Sequence, residues 1–153
     1  MMSALYVDVS RVVACPQDVA FDYMTDPRND PDWWESVLGT TIMSTTAHGV
    51  GTKYRQRCRL MGHRFDIDFA VTAHDRPKMF RLETSSGPVR FEAEYRFTAA
   101  DGGTRVRMLA PVRADGLLFR LTGPVFRWYL LRVNERYFDN LKRILDAKAS
   151  RQA

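Results

Sequence analysis

Residues 53–71, KYRQRCRLMGHRFDIDFAV, decide the fold because they alternate twice. From Lys53 to Leu60 the odd positions are Lys53, Arg55, Arg57 and Arg59, and the even ones are Tyr54, Gln56, Cys58 and Leu60. From Arg64 to Val71, one face carries Phe65, Ile67, Phe69 and Val71, and the other Arg64, Asp66 and Asp68. A period of two marks a strand with one buried face, since successive side chains point to opposite sides. Gly62-His63 suits a two-residue type II′ hairpin, with glycine at the first central position, where φ is positive. That turn predicts pairing of residue 61 with residue 64, hence Arg59 with Asp66 and Arg57 with Asp68 on the outer face. Each such pair contributes from a few tenths to about 1 kcal/mol.

Working outward, the same alternation recurs. Ala4 to Ala14 places valines at 7, 9 and 13 among mostly polar neighbours, predicting an opening strand. Pro16 then starts a short helix through Val19, Ala20, Tyr23 and Met24, which Asp26-Pro27 stops, and a second short helix or turn is expected in Arg28 to Val37. From Leu38 to Val112 about six strands follow with short connections. Phe80, Leu82 and Thr84 are inward, Ser85 to Pro88 turns, and Val89, Phe91, Ala93, Tyr95 and Phe97 are inward again. Asp101-Gly102-Gly103 makes the next turn, before Val106, Met108 and Ala110. After Asp115-Gly116 and a break at Gly123-Pro124, residues 125–148 read as a helix whose apolar face runs through Leu130, Val133, Tyr137, Leu141 and Ile144, widened by Phe126, Phe138 and Leu145. One helix covers a strip about 10 Å wide, whereas six or seven strands span about 30 Å, so the sheet must curl around it. The expected class is α+β, a curved antiparallel sheet of about seven strands gripping a long C-terminal helix, with two short helices after the first strand.

Composition agrees with one domain over 1–153 with a core at about 4–148: the chain has 153 residues, 45% hydrophobic and 27% charged. A chain of that size buries roughly 70% of the surface exposed when unfolded and needs no metal or disulfide. The two cysteines, Cys15 and Cys58, show no metal-ligand spacing and are expected to be reduced. No secretion signal and no apolar run approaching the roughly 20 residues of a membrane span is visible, which predicts a soluble, cytoplasmic protein. The net charge of +5 leaves nucleic acid, acidic membrane or plain solubility open. Its distribution argues against nucleic acid: the Lys53, Arg55, Arg57, Arg59 stripe is expected beside Asp66 and Asp68 and carries no interleaved aromatics. Residues 117–132, LLFRLTGPVFRWYLLR, combine apolar bulk with Arg120, Arg127 and Arg132, and suit membrane contact or a gate over a cavity. Oligomeric state is left open.

The element order, with PQDVAFDYMTDPRNDPDWWESV after the first strand, resembles the START and polyketide cyclase superfamily, also called SRPBCC or helix-grip, and most closely its bacterial polyketide cyclase/dehydrase-like group. The resemblance covers about residues 4–148. It rests on Pro16, Val19 and Phe21 in the first helix, Asp26-Pro27 at its end, Trp33 or Trp34 in the second, Gly49 to Thr52 entering a strand, and Gly102-Gly103-Thr104 before the last strand. It implies a cavity for a small hydrophobic molecule such as a lipid, polyketide or isoprenoid. No cofactor is expected. Strand parity then nominates the lining. The third and fourth strands offer Tyr54, Gln56, Cys58, Ile67 and Phe69. The next three offer Phe80, Leu82, Phe91, Tyr95 and Met108. The helices add Trp34, Leu130, Val133, Asn134 and Tyr137.

Chemistry beyond binding has little to stand on. No HExxH, GxSxG, Walker or GxGxxG pattern occurs. His48, His63 and His74 read as surface turn residues, and Cys58, among apolar neighbours, as a structural thiol. Gln56 is the most informative position, because an unpaired buried amide costs on the order of 1 to 3 kcal/mol. It must bond a ligand or ordered water, or else a neighbouring backbone group or tyrosine hydroxyl. Asn134 lies at the margin of the helix's apolar face and is expected to be solvated, while Thr84 and Tyr95 offer further hydroxyls. The leading expectation is a binding protein. The alternative is a cyclase or dehydratase that uses the cavity as a mould, with one polar wall group as acid or base.

Overall fold

The computed structural model describes residues 5–46, 48–60, 62–86, 90–113 and 117–152. Strand β1 (Leu5–Val13) leads into helix α1 (Gln17–Thr25), a 3-10 turn (Pro27–Asn29) and the single turn α2 (Asp30–Trp33). Six strands follow: β2 (Val37–Ile42), β3 (Lys53–Leu60), β4 (His63–Asp75), β5 (Met79–Ser86), β6 (Arg90–Ala100) and β7 (Gly103–Arg113). Helix α3 (Leu117–Gln152) closes the chain. The strands form one antiparallel sheet in the order β1-β7-β6-β5-β4-β3-β2, so β1 and β2 are its two edges. This is the helix-grip α+β architecture that the alternation and the single long helix require.

Burial follows parity. Along β3, Tyr54, Gln56 and Cys58 are buried, while Lys53, Arg55, Arg57 and Arg59 are exposed. The register of the β3–β4 hairpin differs from expectation. Leu60 pairs with His63, Arg57 with Asp66 and Arg55 with Asp68, a shift of two residues. Gly62, at φ +81°, occupies the second central place of the turn rather than the first. The outer face is still stitched by opposite charges: Arg55 meets Asp68 at 2.7 Å, Arg107 meets Asp8 at 2.8 Å, and Arg81 and Arg96 both hold Glu94. The basic stripe of β3 is therefore partly neutralised by its neighbouring strand.

At the β6–β7 turn, Gly103 has φ +154°, and a Cβ there would lie 1.9 Å from the Val13 carbonyl oxygen. Only glycine lets this hairpin close against the end of β1.

Helix α3 runs unbroken through Gly123-Pro124, where a break was expected, and spans 36 residues. Proline's fixed φ is itself helical; what it removes is one N–H, and this one lies in the helix's N-terminal third. The expected turn at 85–88 falls partly outside the described residues, and the break at 115–116 wholly so, as do Val89 and the side chains of 117–124, 126 and 127 on which a membrane or gating role depends. Further along, α3 is clasped to β1. Lys142 donates to the Val12 carbonyl at 2.9 Å, the Ala14 N–H donates to Asp146 at 2.7 Å, and Arg11 meets Asp139 at 2.8 Å. Asn140 ties the helix to α2 by donating to the Trp33 carbonyl at 3.3 Å and to Glu35 at 3.0 Å. Beneath these clasps Phe138, Leu141 and Leu145 are fully buried. Among the described residues, no helix is long and apolar enough to cross a membrane.

Candidate functional site

Between the inner face of the sheet and α3 lies a cavity of about 90 Å³. Its sheet side is Gln56 and Cys58 on β3, Phe65, Ile67 and Phe69 on β4, and Phe91 on β6. Leu130, Val133, Asn134 and Tyr137 come from α3; Trp34 and Ser36 from the stretch after α2; Val37 from the start of β2; and Val7 from β1. Ten of the nominated residues, Trp34, Gln56, Cys58, Ile67, Phe69, Phe91, Leu130, Val133, Asn134 and Tyr137, are brought together here. Phe65 shares the inward parity of the nominated Ile67 and Phe69, and Val7 belongs to the valine alternation that predicts the first strand. Ser36 lies between α2 and β2 and Val37 opens β2, so neither carries a periodic signal.

Five nominated residues are placed elsewhere. Tyr54, Phe80, Leu82 and Tyr95 line a second space of only about 10 Å³, closed by Met24, Asp30 and Trp33. That is on the order of one water molecule. Met108 is fully buried in the core. Parity tells which face a residue occupies, not how far along the strand it sits, and the four around the second space lie under α1 and α2 rather than under α3.

The walls are rings. Trp34 stands 6.1 Å from Phe91 and 6.4 Å from Tyr137, and Phe69 is 6.3 Å from Phe91. Aromatic pairs at such separations add about 0.5 to 1.5 kcal/mol beyond the area they bury. Asn134, expected to be solvated, is buried; its Nδ2 donates to the Leu130 carbonyl at 2.7 Å, one helical turn back.

Gln56 is fully buried on this wall, and its partner is one that sequence reasoning missed. Its Nε2 donates to Asp30 Oδ2 at 2.7 Å and to Thr40 Oγ1 at 3.3 Å. Thr40 Oγ1 in turn donates to the Pro27 carbonyl at 2.8 Å. Gln56 Oε1 has no partner in the protein. Asp30 is itself buried at the start of α2, and loss of solvent holds its carboxyl well above the usual carboxylate range, the hydrogen bond from Gln56 acting the other way. No periodicity announces a buried aspartate in a Pro/Asp-rich turn; the only signal was the amide across from it that needed a partner.

The remaining polar groups of the wall do not titrate near neutrality. Burial pushes the Cys58 thiol up to about 11, in keeping with a structural thiol. Burial also raises the Tyr137 hydroxyl, opposed by its hydrogen bond with Ser36. Thr84 is occupied, accepting the Phe91 N–H at 3.0 Å. Of the histidines, His48 and His63 are exposed, whereas His74, expected at the surface, is half-buried inside β4 with its ring edge-on to Phe21 at 5.1 Å. None of the three reaches the cavity lining. Among the described residues, no group of His, Cys, Asp or Glu is placed to hold a metal ion.

Known structures share this architecture at low sequence identity. A protein of Thermus thermophilus superposes with a TM-score of 0.81 at 16% identity, covering 94% of this chain and 98% of that one. The Zhui aromatase/cyclase of a Streptomyces species gives 0.71 at 19% identity, covering 98% and 96%. A START superfamily protein from Mycobacterium smegmatis gives 0.69 at 12% identity, covering 99% and 100%. No curated protein matches the sequence. Residues 5–146 match the family described as polyketide cyclase / dehydrase and lipid transport. Sequence and fold thus agree, and the chain belongs to that family.

Proposed function

We propose that the protein binds a small hydrophobic molecule, of lipid, polyketide or isoprenoid type, in the cavity between sheet and α3. The observation that carries this reading is the chemistry of the wall. Among the described residues it holds aromatic and aliphatic side chains with a few neutral polar groups, and no Asp, Glu, His, Lys or Arg. Such a wall takes up apolar surface and offers no group poised to exchange protons near neutral pH. The same observation weighs against acid–base catalysis and for carriage or sensing. The aromatase/cyclase neighbour and the family's description keep a cyclase-type mould as the second reading, one that works by confining a reactive chain rather than by titrating groups.

Native mass spectrometry of the freshly purified protein, followed by solvent extraction, tests the proposal. A co-purifying apolar molecule is the expected result. If the protein arrives empty and then takes up no member of a panel of fatty acids, polyketide-like phenols and isoprenoid alcohols, the binding reading fails.

A further inference from the structure

The cavity wall is apolar apart from a handful of neutral groups, and one of these is held in a single orientation with its acceptor unused. Gln56 can present either its carbonyl or its NH₂ group to a ligand, and the surrounding hydrogen bonds decide which. The Pro27 carbonyl can only accept, so the Thr40 hydroxyl proton is committed to it at 2.8 Å. Thr40 Oγ1 therefore meets Gln56 as an acceptor, and the atom 3.3 Å away must be the amide nitrogen. The second N–H goes to Asp30 Oδ2 at 2.7 Å. Both amide hydrogens are thereby used, and the orientation holds without any assumption about the Asp30 proton. Oε1 keeps its lone pairs on a fully buried side chain that lines the cavity.

The geometry points to Gln56 as the residue that reads the ligand: its Oε1 accepts a hydrogen bond from an O–H or N–H donor at the inner end of an otherwise apolar molecule, which selects alcohols and phenols over hydrocarbons. This rests on the binding reading above and adds its specificity. Asp30 and Thr40 are positioning residues that fix the amide without touching the ligand. A hydroxyl entering an apolar cavity loses its water and regains a bond only if an acceptor waits there; a hydrocarbon of the same shape leaves Oε1 unpaired.

Phenol and toluene are nearly isosteric and differ by this one donor. Each is titrated into ¹⁵N-labelled protein, following the amides of Cys58 and Val133, for the wild type and for Gln56→Leu. In the wild type phenol should bind at least as tightly as toluene, although it is much the better hydrated of the two. In Gln56→Leu the ratio of their affinities should move about tenfold toward toluene. Equal ratios in the two proteins overturn the role of Gln56 and leave cavity binding standing. Should Gln56→Leu not fold, the wild type alone decides: toluene binding tenfold or more tighter than phenol overturns the inference. Binding of neither probe overturns the inference together with the reading beneath it.

Discussion

The two ends of the space inside the sheet are built largely from aromatic and aliphatic side chains and share strands β3, β4 and β6, yet one is sealed and the other hollow. At the sealed end Phe21 of α1 stands edge-on to His74, Phe80 and Phe97 at 5.1, 6.0 and 5.2 Å, and Phe80 stacks on Tyr95 at 4.6 Å. Gln17 bolts α1 down by donating to the carbonyls of Pro77 and Phe97, and Arg76 meets Asp22 at 2.7 Å. At the hollow end Trp34, Phe65 and Phe91 remain half-buried around about 90 Å³ of space. The cover makes the difference. A short helix lowers one ring into the curve of the sheet, whereas α3 is clasped to β1 and α2 through Asp139, Asn140, Lys142 and Asp146 and faces the hollow with Leu130, Val133 and Tyr137.

The sharpest way to break this comparison is to remove the plug. Phe21→Ala should destabilise the protein by about 3–5 kcal/mol in urea denaturation, the usual range for a fully buried phenylalanine. A loss below about 1 kcal/mol would mean the sealed end is not sealed by this ring. Adding volume separates the two ends next. Ala93→Leu, at a fully buried position of β6, should cost about 1–3 kcal/mol through overpacking. Val133→Phe, whose side chain would enter the cavity, should stay within about 1 kcal/mol of wild type and abolish uptake of apolar probes. Equal costs for the two would erase the distinction.

Asp30, on the border between the two ends, gives an effect read as a slope with pH. Its carboxyl is raised in the folded state, so the native protein holds that proton more tightly than the unfolded chain. Its contribution is therefore fully present below about pH 4, the ordinary aspartate value, and is lost as pH rises from there through the raised native value. Asp30→Asn keeps an acceptor for Gln56 and has no charge to bury, so its stability relative to wild type should increase between pH 5 and pH 8. A relative decrease over that interval would show the charged form to be favoured. The smallest effect concerns the thiols. Cys58 lines the cavity and Cys15 does not, though both are buried and raised. Maleimide labelling mapped by peptide mass should reach Cys58 first, with a rate climbing about tenfold per pH unit toward about 11. Simultaneous labelling of both would place them behind a common opening.

Alternation made the sheet legible: Tyr54, Gln56 and Cys58 against Arg55, Arg57 and Arg59 gave the face without ambiguity, and the long apolar stripe gave the helix that the sheet grips. The turn was harder, because a glycine in a two-residue loop fits either central position and only the pairing partners choose between them. The cavity was legible as a face but not as a place. Phe69 and Phe80 look alike in sequence, and which of them meets a plug and which meets open space depends on where α1 sits along the strands. Asp30 was invisible for a different reason. Aspartates beside prolines ordinarily solvate turns, and here the turn carries one of them inward, where its partner lies 26 residues away.

The sheet's order has a consequence for how wide this space can be. β1 and β2 are separated by only one connecting segment in the chain, yet stand at opposite edges of seven strands. Six gaps of about 4.8 Å put those edges roughly 29 Å apart along the arc. Residues 14–36 are therefore a chord strung across the curve, and the chord's length fixes how far the arc can flatten. Shortening it by a residue draws the edges together like a drawstring, and lengthening it lets the arc relax. The breadth of the hollow is set as much by the length of that cord as by the side chains facing it.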